Sequence, residues 1–391
     1  MRRSSTWPLL LLCLSVGCDD PPPPPEPPPP PPPPPGPIVA GRAIANDGAF
    51  ALIPSPEGAR LFWGAPHREG GGVRTVGLSP TGAALGADRA VAAHGAAAGG
   101  TAEQHVSQAV ELDAYAVGRR IGLAWVVDYG HHLEAQATWS TDDGEHFGPV
   151  EDIGDTVRLE DRARGRVTVS GNDDGRLVVH HRVLDAPCVA TEGSCAMFSR
   201  TGLGAPDGRQ GTDEVRWPCE PLVAASMFRA GTWYHTVCHV EGGGPSTTVE
   251  SVRPEISFAG PTSFAGCTPE AIAPLDDGAL VLTRCGDAWA GHHLDTMGHV
   301  RASLRPLERI VACEEGRPVL RARAGRREAK LQLGPAIARI EALLPEDIAA
   351  PGARAIWTGE AVLVATPQQR SLSVRRYECL PDGRFDRTDA R

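Results

Sequence analysis

A glycine turn followed by a short apolar strand recurs seven times in this 391-residue chain, at Gly58, Gly118, Gly175, Gly231, Gly278, Gly316 and Gly359. The strands that follow are Leu61-Phe62-Trp63, residues 121–127, Leu177-Val178-Val179, Trp233-Tyr234, Leu280-Val281-Leu282, Val319-Leu320 and residues 361–365. The turns lie about 40 to 60 residues apart, the length of a four-stranded propeller blade, in which each sheet buries both faces against its neighbours. Helical apolar periodicity is scarce; its best stretch, residues 336–344, reads equally as a strand edge. The expected fold is all-β, a β-propeller of seven four-stranded blades, with six as the alternative count. A ring of sheets must close or leave strand edges exposed. Residues 38–44 precede the first unit, and the seventh stops after its third strand near residues 375–380, so the N-terminal strand is expected to complete the last blade. Gly130-His131-His132-Leu133 is echoed by Gly291-His292-His293-Leu294, which reads as a second mark of the same register.

The segment before the repeats addresses the chain. Arg2 and Arg3 precede an apolar core at residues 9–14, the pattern of a secretory signal peptide and far too short to span a bilayer. Ser15-Val16-Gly17-Cys18 resembles a bacterial lipobox, with Ser15 in the place usually taken by leucine. That resemblance implies that Cys18 receives a diacylglycerol and becomes the mature N-terminus. Residues 21–37 are proline apart from Glu26 and Gly36, and such a run adopts polyproline II because φ is fixed and the backbone lacks donors. At about 3.1 Å per residue it reaches on the order of 50 Å, a spacer between a lipid surface and a folded domain. The expected organisation is a signal peptide at residues 1–17, a lipidated cysteine and proline spacer at 18–37, and a propeller at 38–391. The implied location is the envelope of a Gram-negative bacterium, with the domain in the periplasm or at the cell surface. Asp19 resembles an inner-membrane retention signal of enterobacteria, which leaves inner and outer membrane both open.

Net charge is −10, which argues against nucleic acid as a partner, because neutralising phosphates requires a positive field. Past the signal region stand Cys188, Cys195, Cys219, Cys238, Cys267, Cys285, Cys313 and Cys379. An even set in an exported chain reads as disulfides, with connectivity open from sequence alone. Cys219 with Cys238 and Cys267 with Cys285 have nearly equal spacing, each pair flanking a strand, a turn and a strand, so each is expected to staple neighbouring strands. Cys188 with Cys195 would close a short hairpin. That leaves Cys313 with Cys379, a long-range link between the sixth and seventh blades. Paired CxxC spacing is absent, so neither a metal nor another cofactor is expected.

Residues 140–147 read Ser-Thr-Asp-Asp-Gly-Glu-His-Phe, a match to S-x-D-x-G-x-x-[WF]. The segment resembles the Asp-box, or BNR repeat, of sialidase-like β-propellers. Ser140 and Asp142 are the side chains that tie the backbone of such a turn, Gly144 takes a positive φ and Phe147 packs beneath it. The resemblance implies a structural role, at the rim away from the catalytic face. Retaining sialidases use a tyrosine nucleophile, carboxylates and three arginines. Here the tyrosines are Tyr115, Tyr129, Tyr234 and Tyr377, and no arginine motif accompanies any of them.

Other constellations weigh less. The pairs His131-His132, His180-His181 and His292-His293 lie on or beside strands, where adjacent side chains face opposite ways and do not share one metal easily. A basic run from Arg317 to Lys330 reads as a solvated face. Asp276-Asp277-Gly278 is a turn without calcium-loop spacing. No P-loop, G-x-S-x-G elbow or dinucleotide fingerprint occurs. The expected function is binding or scaffolding by a monomer, tied to a membrane through its lipid and meeting an envelope protein or polysaccharide, without identified catalytic residues. The alternatives are a sialidase-like glycoside hydrolase and an assembly factor for envelope proteins.

Overall fold

In the computed structural model the described residues are 39–387, apart from 67–68, 70, 93–107, 130–131, 153–156, 159–163, 172–176, 185–195, 204–210, 216–225, 230–231, 242–243, 254–255, 276, 306–309, 325–326, 333–336, 339, 342–343, 346 and 381. Seven antiparallel sheets follow one another along the chain as the blades of a β-propeller. Blade 1 comprises Phe50–Ser55, Gly58–Gly64, Val73–Leu78 and Arg89–Ala92. Blade 2 comprises Gln108–Val117, Arg120–Asp128 and His132–Ser140, with two short pieces, Glu151–Asp152 and Val157–Arg158, sharing the fourth position. Blade 3 is Arg164–Gly171, Leu177–Leu184, Ala196–Leu203 and Gly211–Val215. Blade 4 is Ser226–Arg229, Thr232–Glu241, Gly244–Arg253 and Ile256–Ala265, and blade 5 is Thr268–Leu275, Gly278–Cys285, Ala288–Asp295 and Val300–Leu304. Blade 6 has three strands among the described residues, Ile310–Glu314, Arg317–Ala324 and Arg327–Gln332. Blade 7 is built on Arg354–Trp357, Val362–Gln368 and Ser371–Cys379, with Ile337–Ala338 paired to the first of these.

First strands of successive blades pack against one another from blade 7 through blade 1 to blade 5, which makes them the inner strands of the ring. Second strands are then covered on both faces. Gly58–Gly64 is buried along its whole length, and Arg120–Asp128 everywhere but its ends. This is why the chain carries unbroken apolar runs after each turn glycine instead of an alternating pattern. Blades 1 and 7 share a core of Phe50, Leu61 and Trp63 with Ile356, Leu363 and Val374, and blades 1 and 2 share Phe62 and Ile53 with Leu112, Leu123 and Trp125. Another cluster joins Leu280 and Leu282 of blade 5 to Trp357 and Val362 of blade 7 through Ile340 and Leu344.

The seven turn glycines all fall between the first and second strands of a blade, Gly175 and Gly231 outside the described residues. The glycine opening the second strand presses on backbone: a Cβ on Gly58 would stand 2.4 Å from Pro80 N, and one on Gly278 1.9 Å from Leu294 O. A second glycine repeat escaped the sequence reading. In the turn after the third strand of blades 1, 5 and 7, Gly82, Gly298 and Gly383 adopt φ of 86°, 78° and 88°. Each donates its N–H to the carbonyl three residues back, on Ser79, Asp295 and Leu380. The hydroxyl of Ser79 or carboxylate of Asp295 accepts from the N–H four residues on, so one side chain ties the turn. The Gly-His-His-Leu echo, in contrast, does not mark equivalent positions. His132 opens its strand, whereas its counterpart His293 lies near the end of Ala288–Asp295.

The ring closes as expected. Val39–Ala43 pairs antiparallel with the third strand of blade 7, Val39 opposite Val374 and Ala43 opposite Ser371. Asp88 of blade 1 fastens the closing strand sideways, its two oxygens 3.4 Å each from Arg42 and Arg74. The expectation that blade 7 ends with its third strand needs correction, because Phe385–Arg387 adds a short strand on the same edge, beyond the reach of the closing strand. The described disulfides are Cys267–Cys285, at the open end of the first hairpin of blade 5, and Cys313–Cys379, between blades 6 and 7. Cys188, Cys195 and Cys219 lie outside the described residues, as does the side chain of Cys238. Cys18 and the spacer lie outside them too.

Candidate functional site

The two ends of the blades differ. At one end stand the glycine turns that join the first and second strands. Asp143 N–H bonds Arg119 O at 2.9 Å, which sets the turn after the third strand of blade 2 beside the turn after its first. Residues 140–147 occupy this end. Ser140 Oγ accepts from the N–H of Asp142 and Gly144 and donates to Asp142 Oδ1, which in turn accepts from His146 N–H at 2.9 Å. These bonds, with the imidazole of His146 2.7 Å from Oδ2, hold the Asp142 carboxyl far below the usual carboxylate range. Gly144 has φ 79°, and Phe147 packs edge-on against Phe62 of blade 1 at 6.0 Å. Next along, Glu145 receives a two-pronged contact from Arg89, at 2.8 and 3.0 Å, and another from Arg60, at 3.3 Å. The segment is thus an inter-blade clasp.

At the opposite end a cleft of about 380 Å³ opens where the ring closes, lined by Ile44, Ala45, Pro66, Gln108, Gln369 and Arg370. Ile44 and Ala45 belong to the crossing from the closing strand to blade 1, and Gln108 opens the inner strand of blade 2. Gln369 and Arg370 form the two-residue turn between the second and third strands of blade 7. Their φ values are 51° and 60°, a pair of left-handed residues where Asn-Gly is the usual solution. Each costs about 1–2 kcal/mol for a side chain with a Cβ, and such strain clusters at functional positions. Neighbours hold the turn: Ile44 N–H donates to Arg370 O at 2.9 Å, and Arg370 N–H to Asp47 Oδ1 at 3.4 Å. One residue on from Asp47, Gly48 leaves room for Glu111, since a Cβ there would meet Glu111 Oε2 at 2.4 Å. The cleft therefore combines a guanidinium and two amides, with the Asp47 carboxylate bonded to the turn in its wall.

The sequence reading missed all of these residues. Their signal was indirect: a two-residue hairpin between strong strand runs in which neither position is glycine or asparagine. The four tyrosines do not gather there. Tyr234 is buried and donates to Asp295 O at 2.8 Å, Tyr377 lies in the core between blades 5 and 7, and Tyr115 packs between blades 2 and 3. Tyr129 stands near the outer strands of blade 2, its hydroxyl 3.5 Å from Gln136 Nε2, which also reaches Asp152 Oδ1 at 3.1 Å. Burial and the Glu134 carboxylate push the phenol up to about 12, and burial with Asp152 alongside raises Glu134. Among the described residues no three His, Cys, Asp or Glu side chains come together as metal ligands.

His292 and His293 face opposite ways. His293 contacts Asp277 at 3.0 Å, whereas His292 is buried, stacked on Phe264 of blade 4 with centroids 3.6 Å apart and bonded through its nitrogens to Thr283 Oγ1 and Ser303 Oγ. Burial, with Arg305 adding to it, lowers its pKa to about 4. The folded state therefore refuses a proton that the unfolded chain accepts below about 6.5. Stability is present in full above that pH and drains as pH falls towards about 4, by an amount on the order of 2 kcal/mol. Urea midpoints at pH 7 and 4.5 should show this loss, and His292→Gln should shrink it; an unchanged difference in the variant would assign the loss to carboxylates.

No family model matches the chain, and no curated protein does. Among solved structures, a prolyl endopeptidase overlaps 87% of this chain and 50% of its own at 13% identity and TM-score 0.45. A Hadza microbial sialidase, Hz136, overlaps 86% and 68% at 10% identity and TM-score 0.40. A GH43 endo-arabinanase from Bacillus licheniformis overlaps 67% and 98% at 11% identity and TM-score 0.34. Overlaps at this level carry no functional implication.

Proposed function

We propose that this chain is a lipid-anchored envelope protein, with Cys18 as the lipid-bearing residue and residues 140–147 as an Asp-box, whose cleft binds an acidic polysaccharide. The observation that carries the reading is the left-handed Gln369-Arg370 turn on the cleft wall. A guanidinium matches a sugar carboxylate by paired charge-assisted hydrogen bonds, and the amides of Gln108 and Gln369 suit hydroxyl groups. The proline run would carry the cleft clear of the membrane towards such a polymer. Calorimetric titration with uronate- and sialate-containing oligosaccharides should detect binding that Arg370→Gln weakens about tenfold or more, since hydrogen bonds to charged groups contribute about 1.5–3 kcal/mol. Absence of binding across the panel, or an unaffected variant, would defeat the reading of the cleft. Retention of Cys18→Ala in the membrane fraction would defeat the anchor.

One observation favours a second reading, glycoside cleavage in the same cleft. Asp47 accepts from Arg370 N–H on the cleft wall, and Glu111 lies against Gly48, the residue after Asp47, so two carboxylates are found on this side of the ring closure. Glycosidases work with such a pair. Turnover of any oligosaccharide in the panel that Glu111→Gln abolishes would favour cleavage over binding alone.

A further inference from the structure

We propose that Cys267–Cys285 is a thiol–disulfide exchange site, opened from the Cys285 side by a dithiol reductant with Cys267 as the leaving thiolate. The two sulfurs sit in unlike surroundings. Cys285 ends the second strand of blade 5, half-buried, beside the exposed turn Gly286-Asp287. Cys267 has 0% of its surface exposed, so an incoming thiolate meets Cys285 first. The cation is on the other sulfur. Arg305 places Nη2 3.4 Å from Cys267 Sγ, where a guanidinium stabilises the negative charge that develops as the bond breaks. A leaving thiol of lowered pKa departs faster, so access and electrostatics select the same direction of attack. The other described disulfide offers no such opening, with Cys313 and Cys379 both buried, at 1% and 9% exposure.

The exchange balances in two steps. A thiolate of the reductant attacks Cys285 Sγ and forms a mixed disulfide, while the electron pair of the broken S–S bond leaves on Cys267 Sγ beside Arg305. The second thiol of the reductant gives its proton to solvent and attacks its partner sulfur, releasing Cys285 as a thiolate. Two electrons pass to the protein, and the dithiol departs as a disulfide. Opening the bond unties Cys267 from the end of the second strand of blade 5, while Thr247 Oγ1 of blade 4 still donates to its carbonyl at 2.9 Å.

The mature protein is treated with graded dithiothreitol, and differential alkylation with peptide mass spectrometry follows each bond. Cys267–Cys285 should open well before Cys313–Cys379. Arg305→Gln, a change at an exposed side chain, should slow the first reaction roughly three- to tenfold and leave the second unchanged, with thermal melting confirming an intact fold. Glutathione should form its adduct on Cys285. Equal rates for the two bonds, an Arg305→Gln rate equal to that of the parent, or a glutathione adduct on Cys267 would each overturn the proposal.

Discussion

Replacing Cys313 and Cys379 together by alanine should lower the free energy of unfolding by about 4 kcal/mol, read as a shift of the urea midpoint without refolding to another state. The bridge joins residues 66 apart, and a loop of that length withdraws much of the freedom of the unfolded chain. Its position adds a second effect. Cys379 ends the strand whose other end receives the closing strand, and Cys313 belongs to the first strand of blade 6, so the bridge ties the sixth sheet to the sheet that closes the ring. Without it, closure rests on the apolar core shared by blades 1 and 7, on backbone pairs near Leu372 and Val374, and on Asp88 between Arg42 and Arg74. Those ion pairs are partly exposed, and pairs of that kind contribute about 1 kcal/mol or less. A loss below about 1 kcal/mol in the double variant would mean that the strand pairing closes the ring unaided.

What the sequence disclosed and what it hid have one physical cause. Interactions local in the chain leave a pattern that can be read: a hairpin needs its turn glycine, a second strand buried on both faces needs an unbroken apolar run, and a side-chain-tied turn needs Ser140, Asp142 and Gly144 at fixed spacing. Those readings led to all-β blades, to the closing strand, and to the pairings Cys267–Cys285 and Cys313–Cys379. The second glycine repeat was local as well, but Gly82, Gly298 and Gly383 follow residues as unlike as Ser79, Asp295 and Leu380, so no common motif betrays it. The cleft was not legible because nothing local defines it. Ile44, Pro66, Gln108 and Arg370 come from four separate stretches and meet only after the ring has closed. Likewise Arg305 reaches Cys267 from across 38 residues, and no spacing rule relates a guanidinium to a sulfur it touches.

The turn glycines allow a sharper test of why the repeat exists. Gly278→Ala should destabilise the protein by about 3–5 kcal/mol, because the added methyl meets backbone and has nowhere to go. An ideal Cβ at Gly278 stands 1.9 Å from Leu294 O and 3.0 Å from Asp295 Cα. Side chains rotate out of such conflicts, but a strand does not. Gly278 is paired directly with Asp295, so relief requires parting the second and third strands of blade 5 where their register is set. That movement would also disturb what Asp295 holds. Its carboxylate receives the N–H of Met297 and His299, both at 2.9 Å, and its carbonyl receives the hydroxyl of the buried Tyr234 in blade 4. Gly286 in the next turn of the same blade is the control. Its φ of 63° is left-handed, yet nothing lies within 4 Å of its would-be Cβ, so Gly286→Ala should cost only the backbone penalty of about 1 kcal/mol. Chemical denaturation of both variants would separate close approach from conformational freedom. Equal losses would show that Gly278 is kept for its φ, whereas a gap of about 2 kcal/mol or more would show that the repeat records the contact between a turn and the backbone of the third strand.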